Sequence, residues 1–330
     1  MDSTTPFKFL LTFCLVLLFP TSAWTETESP WHGWRSSLLK DHALSGKIWS
    51  VRKKRFVAPE ALAGAVAKAR IVLVGEVHDN PDHHRLQAWL IEKASLGRKP
   101  AVVMEMISQD QAAPLREYLA KPQANAAGLG AALKWEKRGW PDWRIYLPIA
   151  ETALRLKLPI RAGDIDRSTL MNVSKNGFGV LDTARRASLL LDEPLGTPLE
   201  EALLDELYDS HCKLMPRSAM GGMLNVQRLR DAILADSLLG AAGDGSAILI
   251  AGNGHVHANR AVPWYLARRA PDAGIATVLL LEADKSARKP EDLIPETPDS
   301  QPVADFIWFT PRVDREDPCE QLRKRFGKTR

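Results

Sequence analysis

Three cysteines in 330 residues are too few for a disulfide scaffold, and 21 glycines with 22 prolines are too few for a collagen. No charge of one sign dominates. Lys+Arg 44 against Asp+Glu 40 leaves +4, which excludes an acidic disordered chain and gives no concentrated basic face for nucleic acid. The sequence also lacks a Gly-x-Ser-x-Gly elbow, a P-loop, a His-Glu-x-x-His pair and paired Cys-x-x-Cys motifs. Gly252-x-Gly254 lacks the third glycine and the following acid of a dinucleotide fingerprint. What is present is globular: 45% hydrophobic and 25% charged residues, ten tryptophans, and length enough to bury a large core.

Near the N-terminus, Lys8 precedes an apolar run over residues 9–19, closed by Pro20 and Thr21-Ser22-Ala23. The run falls short of the roughly 20 residues a membrane helix needs. A basic residue, a short apolar core and a small-residue end form a secretory signal peptide, so residues 1–23 are expected to be removed and the protein exported to the periplasm. Cys14 follows Phe13, where a lipobox would need a small residue. A soluble form is therefore expected rather than a lipid-anchored one, with association to the envelope left open. Cys212 and Cys319 would then meet oxidising conditions, either as a bridge or as two buried thiols.

Residues 24–69 read as a lead-in, with a short strand near 47–51 and an Ala-rich helix at 59–69. Short apolar runs without alternation then recur at 71–74, 101–104, 158–162, 247–251, 276–281 and 306–309. Such runs fit strands covered on both faces. Helix-length stretches at 82–96, 146–156, 198–208, 225–239 and 261–269 separate them, the first opened by the Asn80-Pro81 start signal. The alternation predicts an α/β fold: a mostly parallel sheet covered by helices on both faces, with a helical insertion before the strand at 247. This domain spans residues 70–310, residues 282–303 form a solvated loop within it, and 311–330 read as a basic C-terminal tail.

Polar residues collect where these strands end. Glu76 and His78 follow the first apolar run, Glu105 the second, Asp164 the third, and His255 and His257 the fourth. Ligands of an open parallel sheet bind beyond the carboxyl ends of its strands, so four strands point to one site. A carboxylate just past a buried strand is costly unless partnered, which favours roles for Glu76 and Glu105 over simple turn capping. Asp164 has the rival role of an Asx-turn. His83 and His84 open the next helix, where neighbours point about 100° apart. His83 shares a face with Leu86 and Leu90 and has a core histidine as its rival. Gln227, Arg230 and Asp231 lie within one helical turn, a spacing that by itself reads as a solvated face. The stretch 135–143, with Trp135, Trp140 and Trp143, suits a packed lid or an apolar wall. A set of histidines and carboxylates serves metal binding, acid–base hydrolysis or capture of an iron-bearing ligand.

The run Gly75-Glu76-Val77-His78-Asp79-Asn80-Pro81-Asp82-His83-His84 resembles the opening motif of the ChaN-like proteins of the haem-binding-uptake and Tiki superfamily. Met104-Glu105-Met106, Gly139-Trp140-Pro141-Asp142-Trp143 with Tyr146, residues 227–231 and Gly252-Asn253-Gly254-His255-Val256-His257 follow in that family's order. The resemblance covers residues 71–281 and implies an exported haem-binding protein linked to iron acquisition, with Glu76, His78, Glu105, Asp231 and His255 in the site. The family pattern has asparagine where Asp164 stands.

As a haem binder, the chain would need an apolar wall, a His or Tyr ligand, and Arg230 or Lys213 for a carboxylate. His83, His84, Asp164, Gln227, Arg230, Asp231, His257 and Tyr265 are the candidate ligand-binding residues. Glu76 makes no axial bond in this reading, so its replacement is expected to matter little. The alternative is a hydrolase of the Tiki or erythromycin-esterase type, with Glu76, His78, Glu105 and His255 catalytic and a divalent metal on Glu76, His78 and His255. A third reading is a partner-binding protein whose polar cluster is structural. Haem or another small molecule is the expected partner, nucleic acid is not, and a homodimer is left open.

Overall fold

Every strand expected from the apolar runs forms, and their side chains alternate between two cores. In the first of the parallel strands, Ile71 and Leu73 enter one core while Val72 and Val74 enter the other. The computed structural model describes residues 33–327, together with Met1. Met1 apart, the leader expected at 1–23 lies outside the described residues.

The lead-in supplies β1 (Ile48–Ser50), β2 (Arg55–Val57) and α1 (Pro59–Lys68). Next come β3 (Ile71–Glu76), α2 (Pro81–Ala94) and β4 (Ala101–Ser108). Helices α3 (Ala112–Leu119), α4 (Ala126–Ala132) and α5 (Trp143–Arg155) lead to β5 (Ile160–Asp164). The insertion holds α6 (Arg167–Asn176), α7 (Thr183–Ser188), α8 (Thr197–Ser210) and α9 (Gly221–Ala242). Finally come β6 (Ala247–Gly252), α10 (Ala261–Arg269), β7 (Ile275–Glu282), β8 (Phe306–Thr310) and α11 (Pro318–Gly327).

Eight of the described strands make one sheet in the order β2-β1-β8-β7-β3-β6-β4-β5. All pairings from β8 to β5 are parallel, and β1 joins β8 antiparallel at one edge. The helices α1, α2, α4 and α5 cover one face, with Leu62, Leu90, Leu129 and Ile149 in its core. On the other face, α6, α9 and α10 contribute Val173, Leu234 and Leu266. The insertion between β5 and β6 is helical, as expected. Among the described residues no helix is long and apolar enough to cross a membrane.

Because the six strands run the same way, their carboxyl ends meet at one edge. Glu76 pairs in register with Gly252, and Met104 with Ile250, so Glu105 comes level with the end of β6. Between Met104 and Ser108 the pairing with β5 slips, since Met104 faces Ala162 while Ser108 faces Asp164. Extra residues on one strand locally re-aim its side chains, and here the irregular stretch contains Glu105.

Candidate functional site

The site starts from how the loop after β3 is held. Asn80 caps α2, its Oδ1 accepting from the backbone N–H of Asp82 at 2.9 Å, and Pro81 takes the first helical position. This fixes the short loop that carries His78. Glu76, the last residue of β3, then lies with Oε1 2.7 Å from His78 Nδ1 and Oε2 3.0 Å from His84 Nδ1. Tyr146 donates its hydroxyl to Glu76 Oε1 at 3.2 Å and to the His78 carbonyl at the same distance. Burial pushes the Glu76 carboxyl up, but His84 and His78 outweigh it and hold Glu76 well below the usual carboxylate range. His84 also donates from Nε2 to the His78 carbonyl at 3.0 Å, so it braces both the acid and the loop.

A second group forms around Glu105. Its Oε2 accepts the Gly252 N–H at 2.7 Å, and its Oε1 accepts from Arg230 at 2.6 Å. Arg230 also grips Asp164 Oδ2 through Nε at 2.7 Å, while Asp164 Oδ1 caps the Ile165 N–H. His255 Nδ1 lies 2.6 Å from Asp231 Oδ1 and 3.1 Å from Gln227 Nε2, and its Nε2 faces Glu105 Oε1 at 3.4 Å. Burial works against charge on His255, yet Glu105 and Asp231 raise it to about 9. Glu105 is held well below its ordinary value by His255, Arg230 and His78 against its own burial. In Asp164 burial wins, and its carboxyl is pushed up.

His78 connects the groups. Its Nε2 stands 3.9 Å from Glu105 Oε2, its ring lies 5.0 Å from that of Trp140, and its side chain keeps 32% exposure. Beside it opens a crevice of about 520 Å³. Met106, Trp140 and Ile165 supply apolar wall, Glu105 and Arg230 the polar floor, and Lys137, Arg138 and Arg167 the cationic rim. A concave, mostly apolar site with a few convergent polar groups is what a small-molecule ligand requires.

With that geometry, the comparisons decide the family. Residues 62–266, more than half of the chain, match the family described as "Haem-binding uptake, Tiki superfamily, ChaN". The chain belongs to this family. No curated protein matches it in sequence. Among solved structures it is similar to ChaN of Campylobacter jejuni, described with cofacial haem binding, at 19% identity and TM-score 0.60, over 79% of this chain and 95% of that one. That likeness supports the fold. The erythromycin esterase EreC in its open conformation matches at 17% identity and TM-score 0.39, over 88% of this chain and 86% of that one. The type III effector HopBA1 matches at 13% identity and TM-score 0.41, over 76% and 92%.

In this ChaN-family chain, nine of the expected residues meet in one network: Glu76, His78, His84, Glu105, Asp164, Gln227, Arg230, Asp231 and His255. Three others sit elsewhere. His83 accepts the Val77 N–H at Nδ1, 2.9 Å, and donates from Nε2 to Thr310 Oγ1, 2.8 Å. Both nitrogens are occupied within the fold, and burial pulls its pKa down to about 3. His257 is buried near Arg260 with its pKa likewise lowered to about 3, and the described structure gives its ring no bond to the network. Tyr265 lies in the core against Trp264 and makes no hydrogen bond to the network among the described residues.

The divalent-metal expectation finds no support. Among the described residues no group of three or more His, Cys, Asp or Glu side chains is placed to hold a metal ion. Glu76 is engaged by His78, His84 and Tyr146, and His255 is turned to Asp231, so the three expected ligands do not share an open centre. The solvated-face reading of residues 227–231 is also corrected: Asp231 is 2% exposed and the turn faces inward. Sequence reasoning left out Tyr146 and the rim cations as site residues. Tyr146 nonetheless stood in the motif that carries the family resemblance, which was the signal that could have placed it in the site.

Proposed function

We propose that this chain binds haem in the crevice, with His78 as the protein's ligand to the iron. The observation that carries the reading is the orientation of His78. A metal-binding imidazole usually gives its other N–H to a carboxylate, and Glu76 holds Nδ1 in that way, while Nε2, 3.9 Å from Glu105 Oε2, makes no hydrogen bond among the described residues. Trp140 and Met106 offer apolar surface to a flat ring system, and Lys137 and Arg167 offer cations to its carboxylates. Bound haem would supply an iron centre whose properties follow from its axial ligand and the polarity around it.

The hydrolase alternative needs a base. His255, raised to about 9, carries its proton at neutral pH and serves as a donor. Export and service in iron acquisition belong to the same proposal. The signal-like segment at residues 1–23 supports export. So does the Cys212–Cys319 disulfide, a bond that persists in oxidising compartments.

The test is a titration of haem into the purified protein, followed in the Soret band. A saturable shift at fixed stoichiometry is expected, with His78→Ala losing the shifted spectrum. A wild-type protein that leaves the haem spectrum unchanged would overturn the reading.

A further inference from the structure

Arg315 lies outside the residues matched by the family, yet it holds the loop of His78. Its Nε and Nη2 meet the two oxygens of Asp79 at 2.7 Å each, and its Nη1 and Nη2 meet Glu282 at 2.7 and 2.6 Å. Asp79 is the residue after His78. Glu282 ends β7, and its Oε1 also accepts from Asn80 Nδ2 at 2.8 Å and the Val313 N–H at 3.2 Å. One arginine thus ties the His78 loop to the neighbouring strand. An isolated surface pair contributes little, but a bidentate guanidinium shared by two carboxylates, one of them 11% exposed, forms a fixed network.

The segment that carries Arg315 is fastened on both sides. Before it, the Pro311 carbonyl accepts from Asn80 Nδ2 at 3.1 Å, and Arg312 bridges to Leu38. After it, Cys319 in α11 is bonded to Cys212, which lies just beyond α8, 107 residues away in the chain. The stretch 311–319 is a strap from the sheet edge to the helical insertion.

We propose that Arg315 is a positioning residue for His78 and that the Cys212–Cys319 disulfide keeps its strap in place. The affinity arm of the test rests on the haem reading, whereas the exchange arm does not. Amide hydrogen exchange is measured on the full chain without haem, at the Val77 and Asn80 amides, which bond to His83 Nδ1 and the Val77 carbonyl. Arg315→Ala should accelerate exchange at both while the amides inside β3 and β6 stay as slow as in wild type. Arg315→Lys, which keeps the charge and loses the fork, should restore part of the protection. The double variant Cys212→Ser/Cys319→Ser should accelerate the same two amides. Haem affinity should fall about 10-fold in Arg315→Ala, the lower end for a residue that orients a ligand.

Unchanged exchange at Val77 and Asn80 in Arg315→Ala overturns the positioning role. So does acceleration spread evenly through the sheet, since that marks a purely structural ion pair. Unchanged exchange in the serine pair overturns the role of the disulfide. Local acceleration in a protein whose wild type leaves the haem spectrum untouched supports the positioning role and rejects the haem reading alone.

Discussion

The Glu76 carboxylate lies 2.7 Å from Nδ1 of His78, and this contact leaves Nε2 on the side of Glu105, 3.9 Å from its Oε2. Sequence reasoning expected Glu76 to matter little for haem because it makes no axial bond. On the haem reading proposed above it takes an indirect part, as the acid that orients His78.

Glu76→Gln should therefore weaken haem binding by roughly 10–100-fold, the range for residues that orient a metal ligand. The fold should persist, since the amide can still accept from Tyr146. Spectral titration of the variant beside wild type checks this, and equal affinities would remove Glu76 from the account.

Gly252→Ala should impair the site with little effect elsewhere. A Cβ at this position would lie 2.9 Å from His78 Nε2 and 3.6 Å from Glu105 Oε2. The ring must move to admit the methyl. Haem affinity should drop while the urea midpoint stays near wild type. A loss of both together would instead place the strain in the sheet.

Arg230→Met should be strongly destabilising, because it leaves Glu105 and Asp164 buried without their shared cation. Breaking a buried pair costs about 3–5 kcal/mol. Adding Asp164→Asn should recover part of the loss by removing one stranded charge. Urea unfolding of the single and double variants gives the comparison.

Stability should peak near pH 6.5. His255 has its pKa raised to about 9 from 6.5, so its contribution is complete below 6.5 and is lost as pH rises through 9. His83 and His257 are lowered to about 3, so the unfolded chain takes up their protons first and stability falls from 6.5 toward 3. Thermal midpoints across about pH 2–10 should show both limbs (a range set by about one unit beyond these values on each side). His255→Gln should flatten the alkaline limb.

The strands were legible because each is buried on both faces and reads as an uninterrupted apolar run; Ile71-Val72-Leu73-Val74 and Ala247-Ile248-Leu249-Ile250 need no tertiary knowledge to identify. The helices α3, α4, α6, α7 and α11 gave weaker signals, since short helices form largely through the surfaces they cover. Parallel strands implied one crowded edge, which made Glu76, His78, Glu105, Asp164 and His255 readable as neighbours from order alone.

By itself, then, the sequence determined the α/β class, the helical insertion and the edge at which acids and histidines meet, because strand burial and parallel connection are local and additive signals. Pairings across distance were decided only by the tertiary structure. His83 and His84 are adjacent in sequence, yet one is bound to Thr310 in the core and the other to Glu76 in the site, because neighbouring helical side chains face different surroundings. Asp231 turned inward for want of solvent on that side of α9, and Cys212 met Cys319 because the tail crosses to the insertion. No local pattern encodes which buried charge another will find, since partner choice depends on desolvation and distance, and both exist only once the chain has packed.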